Sequence, residues 1–477
     1  MSRERQLSAK ERINRLFDDN SFVEIGAMVS ARATDFNMAS IDTPADGVIT
    51  GYGMIDNELV YVYSQDVNVL GGAIGEMHAK KIIRIYDLAL KAGAPVIGLI
   101  DCAGMRLQEA TDALNAFGEL YIKQTMASGV ILQITAILGT CGGGAAMIPP
   151  LTDFTLMARD TGTLFINTPN ALSGNEISKN NTSAAEFQST EVGSIDYLGE
   201  DDIDVLAKIR ELLALLPRNY REGNIYKACL DDLNRENESL SFVKDPVYIL
   251  RDISDNHQFL EIKADYAKEM TTAFIKLNGL TIGAFGNRAE ILDDDGNVSE
   301  RPKAVLTTGG ANKAADFVRF CDAFGIPVLS LVNVNGFAAT IQEEKTIAKA
   351  SAALVYELAN ATVPKVSLII GKAFGSSYLV MNSKHIGADI VYAYPDSAIG
   401  MMEASMAAKI MYAKQEDLIA EKAKEYAAHQ TSPVSAAKRG YVDDVVNPVA
   451  TRKRLIAAFE MLYTKKENRP DKKHGTV

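Results

Sequence analysis

The sequence repeats one arrangement of glycines and prolines at a constant offset of 232 residues, as from Gly93 to Gly325. In the first copy, the apolar strand APVIGLIDCAG is followed by ILQITAILGTCGGGAAM. In the second, IPVLSLVNVNG is followed by PKVSLIIGKAFGSSYLVM. A repeat this long indicates duplicated domains rather than a solenoid, whose period is about 20–50 residues. The matched positions are Gly93 and Gly325, Pro95 and Pro327, Gly104 and Gly336, Gly139 and Gly371, and Gly143 and Gly375.

The chain length and the order of local patterns agree with two α/β domains. At 477 residues, the chain is longer than a single hydrophobic core usually supports. In each copy, a segment with apolar residues at helical spacing precedes an apolar strand: EMHAKKIIRIYDLALKAG precedes APVIGLID, and KAADFVRFCDAFG precedes IPVLSLVN. We therefore predict layered α/β domains over residues 1–236 and 237–477, with the boundary in a polar region that contains NRENES.

Shorter patterns predict local structure around these strands. Ser8 and Glu11 form a capping box at the start of a helix, and Asp56-Asn57 marks the turn of a hairpin in GVITGYGMIDNELVYVYSQD. The segment IDVLAKIRELLALLP predicts a further helix. The segment NRAEILDDDGNVSERP is expected to form an exposed acidic loop, because its aspartates lack the spacing of a calcium-binding EF-hand.

Composition and charge narrow the class of function. A formal net charge of −12 disfavours a nucleic-acid partner, because such a partner selects a basic surface. No apolar run reaches the roughly 18 residues that could cross a bilayer, and the first residues lack a secretory pattern, so we expect a cytoplasmic protein. The histidines His78 and His385 are expected to be structural. No metal site is expected, because the cysteines lack metal-binding spacing; reduced, mostly buried thiols are predicted for Cys102, Cys141, Cys229 and Cys321.

The second strand of each copy ends in small residues, in segments that we call the first elbow (residues 142–145) and the second elbow (residues 374–377). Backbone N–H groups in such segments can bind an oxyanion, and one donor contributes about 3 kcal/mol. The predicted donors are Gly143 and Gly144 in the first elbow, where a helix from Ala145 would add its positive end, and Ser376 and Ser377 in the second. A tight strand-to-helix junction without a ligand is the alternative.

Neither elbow carries a motif that relies on a reactive side chain. No serine, base and acid are grouped as in a hydrolase, and the Walker pattern GxxxxGK[ST] is absent. Two oxyanion sites favour a reaction between two carbonyl-containing substrates, with the enolate of a thioester as one anion that needs backbone donors.

The chain resembles the carboxyltransferase components of biotin-dependent acyl-CoA carboxylases and the related decarboxylases, including methylmalonyl-CoA decarboxylases. The resemblance covers nearly the whole chain and is carried by LSAKERINRLFDDNSFVE, PADGVITGYG, YSQDVNVLGGAIGEMHAKKI, DCAGMRLQEA, ILGTCGGGAAMIPPLTDF, KAADFVRFCDAFGIPV, FGSSYLVMNSKHIGAD and AAKRGYVDDVVNP. It implies two tandem crotonase-like domains, each a spiral of β-sheet and α-helix layers.

The resemblance implies carboxyl transfer between N1 of biotin and the α-carbon of a short-chain acyl-CoA, in either direction, with propionyl-CoA and methylmalonyl-CoA or acetyl-CoA and malonyl-CoA as the pair. In that family, the first elbow stabilises the thioester enolate and the second stabilises the ureido oxygen of biotin, and no side chain has to act as the base. The acyl-CoA side would be the N-terminal domain, and the biotin side the C-terminal domain. Substrate contacts are further expected from Gly104, Arg106, Gly142, Ala145, Gly336, Phe337, Gly375, Tyr378 and Leu379.

The same resemblance implies an assembly. The family forms homohexamers, as trimers of dimers, with each active site between the N-domain of one subunit and the C-domain of its partner. Biotin would arrive on a carrier protein, because the sequence contains neither a biotin-attachment lysine motif nor an ATP-binding glycine loop. The other partner would be a biotin carboxylase subunit or the membrane subunits of a decarboxylase. The run MNSKHIGADIVYAYP is closer to the decarboxylase branch.

The chain departs from the family pattern at the second elbow, where Gly-Gly-Ala is replaced by Gly375-Ser376-Ser377. The serine hydroxyl groups would either bind the ureido ring or narrow the pocket. Leu379 stands where the family varies with acyl-chain preference. Two other functions stay open: a biotin-independent crotonase-type hydrolase or isomerase, with Glu109 as its acid or base, and a non-catalytic subunit that binds acyl-CoA.

Overall fold

The computed structural model describes residues 6–32, 36–223, 226–293, 296–470 and 474–475. The chain forms two units, Met1–Gly223 and Asn224–Val477. The boundary predicted between residues 236 and 237 lies inside the second unit. Residues before it belong there because Arg235 donates hydrogen bonds to the carbonyl oxygens of Asp252 and Ser254, at 2.7 and 3.0 Å.

The first unit is built around one eight-stranded sheet with the strand order β1-β2-β3-β4-β5-β6-β8, and β7 pairs with β5. Strands β3, β4, β5, β6 and β8 are parallel, and β1 and β2 complete the sheet in antiparallel pairing. The strands are β1 (Val23–Glu24), β2 (Val48–Ile55), β3 (Glu58–Gln65), β4 (Val96–Cys102), β5 (Gln133–Gly142), β6 (Phe154–Ala158), β7 (Thr163–Phe165) and β8 (Tyr197–Gly199). The helices are α1 (Ala9–Leu16), α2 (Glu76–Ala92), α3 (Ala110–Ala127), α4 (Ala185–Phe187) and α5 (Asp202–Leu215).

Local sequence signals account for these elements. The Ser8 side chain accepts from the Glu11 N–H, and the Glu11 carboxylate accepts from the Ser8 N–H, which confirms the capping box. Asp56 and Asn57 adopt positive φ (51° and 65°) between β2 and β3, as a two-residue hairpin requires. Helix α2 ends where Gly93 takes φ 66°.

The second unit repeats this arrangement with the strand order β18-β16-β15-β14-β11-β10-β9, and β17 pairs with β15. The strands are β9 (Phe259–Ile262), β10 (Met270–Leu277), β11 (Leu280–Asn287), β12 (Ile291–Leu292), β13 (Val298–Glu300), β14 (Val328–Val334), β15 (Lys365–Phe374), β16 (Ile390–Ala393), β17 (Ala398–Gly400) and β18 (Asp444–Val445). The helices are α6 (Pro246–Ile253), α7 (Thr308–Ala323), α8 (Ile341–Glu344), α9 (Ile347–Asn360), α10 (Gly375–Leu379), α11 (Ala404–Met411), α12 (Ile419–Tyr426), α13 (Pro433–Lys438) and α14 (Thr451–Met461).

The offset of 232 residues recurs in the backbone. Adding it to the bounds of β4 and β5 gives the bounds of β14 and β15. Even the irregularity is repeated: the β4–β5 register shifts between Ile100 and Cys102, and the β14–β15 register shifts between Val332 and Val334. Both strand pairs are parallel, so their carboxyl ends reach one edge of each sheet. The duplicated α/β architecture inferred from the sequence is therefore confirmed.

Each unit has its own hydrophobic core, in which the faces of the central strands are covered by helices. In the first unit, Ile82 and Ile85 of α2 pack with Ile100 of β4 and Ile137 of β5, and all four side chains are at most 1% exposed. The central strands are buried along their whole length, as is usual for parallel sheets with helices on both faces.

Two details differ from expectation. Helix α7 begins at Thr308 rather than at Lys313, because the Thr307 side chain caps the helix by accepting from the Gly310 N–H. The acidic segment 287–302 contains a small hairpin, β12 with β13, rather than a loop alone, and its residues 294–295 lie outside the described residues. Among the described residues, no helix is both long enough and apolar enough to span a bilayer.

Candidate functional site

The first elbow is a sharp change of direction at the carboxyl end of β5. Gly143 has φ 59°, and a Cβ added there would meet no atom within 4 Å, so the backbone conformation rather than crowding favours glycine. The N–H groups of Gly143, Gly144 and Ala145 lie in the first turn of a 3₁₀ helix, Gly143–Met147, where no intrahelical acceptor exists. These half-buried glycines therefore place N–H groups without intrahelical acceptors at the carboxyl end of β5.

The helix expected from Ala145 is short, which corrects the electrostatic part of the prediction. A 3₁₀ helix of five residues, Gly143–Met147, is followed by a second short 3₁₀ helix at Pro149–Leu151. The prolines after Ile148 supply no N–H groups that could continue the hydrogen-bond ladder. The N–H groups themselves, rather than a helix dipole, are the electropositive feature of this elbow.

Side chains on neighbouring strands brace the first elbow. The Asp101 carboxylate accepts from the Thr140 N–H at 3.2 Å, and it occupies the space left open by Gly139, where an added Cβ would lie 2.2 Å from Oδ1. Gly104 has φ 114°, and a Cβ there would come within 3.0 Å of the Gly142 carbonyl oxygen. Gly104 and Gly142 thus fix the close approach of two backbone segments.

The structure corrects the predicted role of Arg106. Its side chain is buried, at 0% exposure, where it donates to Asp46 at 2.7 Å, to Glu109 at 2.8 Å and to the Ala73 carbonyl oxygen at 2.9 Å. A side chain enclosed in this way holds the loop between β4 and α3 and does not present its guanidinium to a substrate. Arg106 is therefore a positioning residue.

Glu109 is equally enclosed. Besides Arg106, its carboxylate binds the N–H of Glu76 at 2.6 Å, at the start of α2, and its side chain is 0% exposed. Gly75 makes room for it, because an added Cβ would lie 2.4 Å from Glu109 Oε1. This environment weighs against Glu109 as the acid or base of a crotonase-type hydrolase.

The second elbow has the same backbone as the first. Gly375 has φ 62°, close to the 59° of Gly143, and begins the five-residue helix α10. At the repeat offset, Gly143 corresponds to Gly375, so Ser376 and Ser377 correspond to Gly144 and Ala145 rather than to the two glycines. The N–H groups of both serines lie in the first helical turn.

Two cavities border the second elbow and bring several predicted residues together. Gly336 and Phe337 line the smaller cavity, of about 410 Å³, and Tyr378 and Leu379 line the larger one, of about 590 Å³. Gly375 and Ser376 border both. Burial raises the pKa of Tyr378 to about 12, and its hydroxyl has no hydrogen-bond partner among the described residues.

The residues of α11 and the segment before it were missed by sequence reasoning. They cover the smaller cavity, and Glu403 from this segment forms an ion pair with Lys372 of β15. The only signal was the methionine-rich run GMMEASMAAK, which by itself resembles an ordinary amphipathic helix. The residues that line the cavity from this run are Met401, Met402, Glu403, Ser405, Met406 and Lys409.

Buried titratable groups near the first elbow are poor nucleophiles. Burial raises the pKa of Cys102 to about 11 and that of Cys141 well above its usual range. Burial lowers the pKa of His78 to about 3, and its Nδ1 lies 2.9 Å from the Asp46 carbonyl oxygen, which confirms a structural role. All four cysteines are free, and three are buried. In the described ranges, no group of three potential metal ligands converges.

Comparisons with known proteins agree with this geometry. The family described as "Carboxyl transferase domain" matches residues 2–477. The α subunit of methylmalonyl-CoA decarboxylase from Veillonella parvula is 40% identical over 99% of this chain and 93% of its own length. The β chain of propionyl-CoA carboxylase from Roseobacter denitrificans is 38% identical over 99% of this chain and 94% of its own length.

A solved structure shows the same fold. Transcarboxylase 12S, a hexamer crystallised with hydrolysed methylmalonyl-CoA bound, superimposes with a TM-score of 0.93 and 36% identity, covering 99% of this chain and 92% of its own. The matches extend over both units and both elbows. This chain belongs to the carboxyl transferase family.

Proposed function

We propose that this protein transfers a carboxyl group between N1 of biotin on a carrier protein and the α-carbon of a short-chain acyl-CoA. The observation that carries the proposal is the pair of matched elbows, each with a glycine at φ near 60° followed by first-turn N–H groups. Two carbonyl-containing reactants require two such donor sets. Relatives named for methylmalonyl-CoA and propionyl-CoA support this pair of acyl groups over acetyl-CoA and malonyl-CoA.

At the first elbow, the proposed ligand is the thioester oxygen of the acyl-CoA. When the carboxyl group leaves the α-carbon as CO2, or a proton leaves it, the bonding electron pair stays behind and places negative charge on that oxygen. The N–H groups of Gly143 and Gly144 would stabilise this charge by about 3 kcal/mol per donor. Tyr121 fixes this turn, because its hydroxyl donates to the Gly144 carbonyl oxygen at 2.7 Å. A fixed donor needs no reorganisation when the charge forms.

The second elbow fits the ureido oxygen of biotin. A Cβ on Gly375 would lie 3.3 Å from the Met401 carbonyl oxygen, so glycine leaves space between two backbone segments. The N–H groups of Ser376 and Ser377 supply donors, and Met401 and Met402 offer an apolar surface to a ring. When bound, biotin supplies the ring nitrogen that carries or accepts the carboxyl group.

The proposed mechanism uses no protein side chain as a base at the first elbow. Cys102 and Cys141 stay neutral near pH 7 because burial raises the pKa of each thiol. Glu109 is already bound by Arg106 and by the N–H of Glu76. The task of these residues is to hold the donor geometry, which favours carboxyl transfer over hydrolysis.

The assembly is also part of the proposal. We infer a homohexamer of the kind formed by transcarboxylase 12S, together with a biotin carrier protein and either a biotin carboxylase or membrane decarboxylase subunits. We also propose a cytoplasmic location. The C-terminal half would bind biotin, and the N-terminal half the acyl-CoA.

The test is turnover of malonyl-, methylmalonyl- and glutaconyl-CoA by the purified protein with free biotin, followed by mass spectrometry of the thioester. We expect loss of carboxyl from methylmalonyl-CoA only when biotin is present. Turnover that is independent of biotin would favour the crotonase-type enzyme. Binding of all three thioesters without turnover, beside an active relative as a control, would favour the non-catalytic subunit.

A further inference from the structure

The two serines of the second elbow differ in what their hydroxyl groups contact. Ser377 is 1% exposed, and its hydroxyl donates a 2.8 Å hydrogen bond to the Phe374 carbonyl oxygen. Ser376 is exposed, and within the described part of the chain its hydroxyl makes no hydrogen bond to the protein. The fold therefore uses one hydroxyl and leaves the other available to a ligand.

Ser376 also has a special position in the elbow. It is the second residue of α10, directly after the left-handed Gly375, and it borders both cavities. Its hydroxyl and its own N–H belong to one residue, and that residue lines both cavities. A ligand oxygen that binds the free N–H groups of this turn is thus next to a third donor.

A neighbouring side chain gives independent evidence for a polar ligand atom here. Tyr378 is 3% exposed and lines the larger cavity, and its hydroxyl has no hydrogen-bond partner among the described residues. Buried hydroxyl groups in proteins are almost always hydrogen-bonded. An unpartnered hydroxyl in the same helical turn as Ser376 is therefore consistent with a polar ligand next to this elbow.

We propose that the Ser376 hydroxyl is a third hydrogen-bond donor to the ureido oxygen of biotin, alongside the N–H groups of Ser376 and Ser377. The proposal rests on the function proposed above. A ureido oxygen offers two lone pairs, and donors aimed at it become stronger as negative charge develops there. A glycine in this position, as in the family pattern, provides the N–H without the hydroxyl.

The test is the affinity of the purified full-length protein for free biotin, measured by a saturation-transfer NMR titration. We expect Ser376→Ala to raise the Kd for biotin about three- to tenfold, the effect of removing one hydrogen bond. Ser376→Thr keeps a hydroxyl and should recover most of the affinity. In turnover assays, Ser376→Ala should raise the KM for biotin and leave the KM for the acyl-CoA unchanged.

The matched control is Ser239→Ala, which removes an exposed hydroxyl from the second unit at a residue that lines neither cavity. It should bind biotin as the wild type does. A Ser376→Ala protein with unchanged or tighter biotin binding would overturn the proposal, and tighter binding would mean that the hydroxyl only narrows the pocket. If the wild type neither binds biotin nor requires it for turnover, the proposed function fails together with this inference.

Discussion

The two halves of the chain keep one backbone and fill it with different side chains. At the bracing position, Asp101 accepts from the Thr140 N–H at 3.2 Å, and its counterpart Asn333 accepts from the Lys372 N–H at 3.0 Å. An acid and an amide thus supply the same carbonyl-type acceptor at the same offset. Both halves therefore keep a side-chain oxygen that accepts a hydrogen bond at this position and holds the end of the strand. The negative charge of that side chain is present in the first half alone.

Two further sets of hydrogen bonds occur in both halves. The first N–H of α2 binds the Glu109 carboxylate, and the first N–H of α7 binds the Glu343 carboxylate, at 2.6 and 2.7 Å. Lys81 and Lys313, which differ by the same offset, both donate to backbone carbonyl oxygens. Burial lowers the pKa of each to about 8. These residues hold the loops that flank the strands.

The halves differ most in charge around the loop opposite each elbow. The first half buries Arg106 between Asp46 and Glu109, whereas Ala338 stands at the matched position of the second half. The second half instead opens two cavities beside its elbow. In the first half, the buried ion pairs hold the loop after β4, which agrees with backbone donors that stay fixed. In the second half, the open cavities beside the elbow leave room for the biotin ring that a carrier protein would deliver.

The largest effect is expected for Arg106→Leu, which makes the first half more like the second. The substitution leaves Asp46 and Glu109 buried without their cation, and breaking a buried ion pair costs about 3–5 kcal/mol of unfolding free energy. Urea unfolding followed by circular dichroism measures it, since the chain has no tryptophan. Protein concentration is kept constant because assembly adds to stability.

Arg210→Leu is the control for that experiment. Arg210 also binds two carboxylates, Asp18 and Asp56, but its side chain is 29% exposed. Exposed ion pairs contribute about 0–1 kcal/mol, so this variant should stay close to the wild type. Equal losses for the two variants would mean that burial of the Arg106 cluster has no special importance for the first half.

The second largest effect is expected for Gly143→Pro, which disrupts one elbow and leaves the other intact. Proline has no N–H and fixes φ near −65°, whereas Gly143 has φ 59°. Turnover should fall at least about a hundredfold, the cost of one oxyanion donor, while biotin binding to the second elbow persists. Steady-state kinetics with methylmalonyl-CoA and a biotin titration measure the two quantities separately.

Gly174→Pro is the matched control, because Gly174 also has a positive φ (75°) and no atom within 4 Å of an added Cβ, but lies outside the elbow. It should retain turnover. Normal turnover by a folded Gly143→Pro protein would contradict the role of the first elbow. An equal loss of turnover in Gly174→Pro would mean that backbone strain, rather than the missing N–H donor, causes the loss in Gly143→Pro.

The sequence was sufficient to predict the elements that depend on local geometry. Positive φ at Gly143 and Gly375 requires glycine, so the two elbows are visible as glycines at a fixed offset. The hairpin at Asp56 and Asn57 and the capping box at Ser8 use residues whose conformational preferences are strong. The strands that are buried on both faces could also be predicted, because they are continuous apolar runs in the sequence.

The sequence was insufficient where distant segments meet. Arg106 was assigned to the substrate because nothing local reveals that Asp46, sixty residues earlier in the chain, encloses it. The methionines around Met401 line a cavity only because β17 brings the segment before α11 beside the second elbow. The distinction between Ser376 and Ser377 depends on which way each side chain turns after Gly375, and that is a property of the folded elbow.

The two halves also differ around the carboxylate that binds the first N–H of a central strand. Asp153 binds the Gln133 N–H at the start of β5, and Asp389 binds the Lys365 N–H at the start of β15, both at 2.8 Å. Of the two carboxylates, Asp389 alone also contacts a cation among the described residues, Lys465 Nζ at 2.8 Å. Burial, reinforced by the nearby Asp196, raises the pKa of Asp153 to about 7.

This difference predicts a pH dependence for the first half. Between about pH 4 and 7, Asp153 is protonated in the folded state and ionised in the unfolded state, so the folded state binds more protons and the free energy of unfolding falls as pH rises. From pH 5 to pH 7 the loss should reach about 2–3 kcal/mol. Urea unfolding at both pH values should show a smaller loss in Asp153→Asn, which keeps an oxygen acceptor without the charge.

Asp160→Asn is the control, because Asp160 is an exposed carboxylate in the same unit. It should keep the pH slope of the wild type. An Asp153→Asn protein with the full wild-type slope would show that another group causes the pH dependence. Such a result would contradict the proposed difference between Asp153 and Asp389 in their effect on the free energy of unfolding.

The smallest effect is expected for Ser377→Ala, which gives the second elbow the residue that the first has at Ala145. The variant loses the hydrogen bond to the Phe374 carbonyl oxygen but keeps the backbone N–H, so the free energy of unfolding should fall by about 1 kcal/mol. Ser376→Ala, whose hydroxyl is exposed and unbound by protein among the described residues, should lose less stability when both are unfolded in urea. The buried Ser377 hydroxyl should contribute to the free energy of unfolding, and the exposed Ser376 hydroxyl should not. Equal losses of unfolding free energy in the two variants would contradict this difference between the two hydroxyl groups.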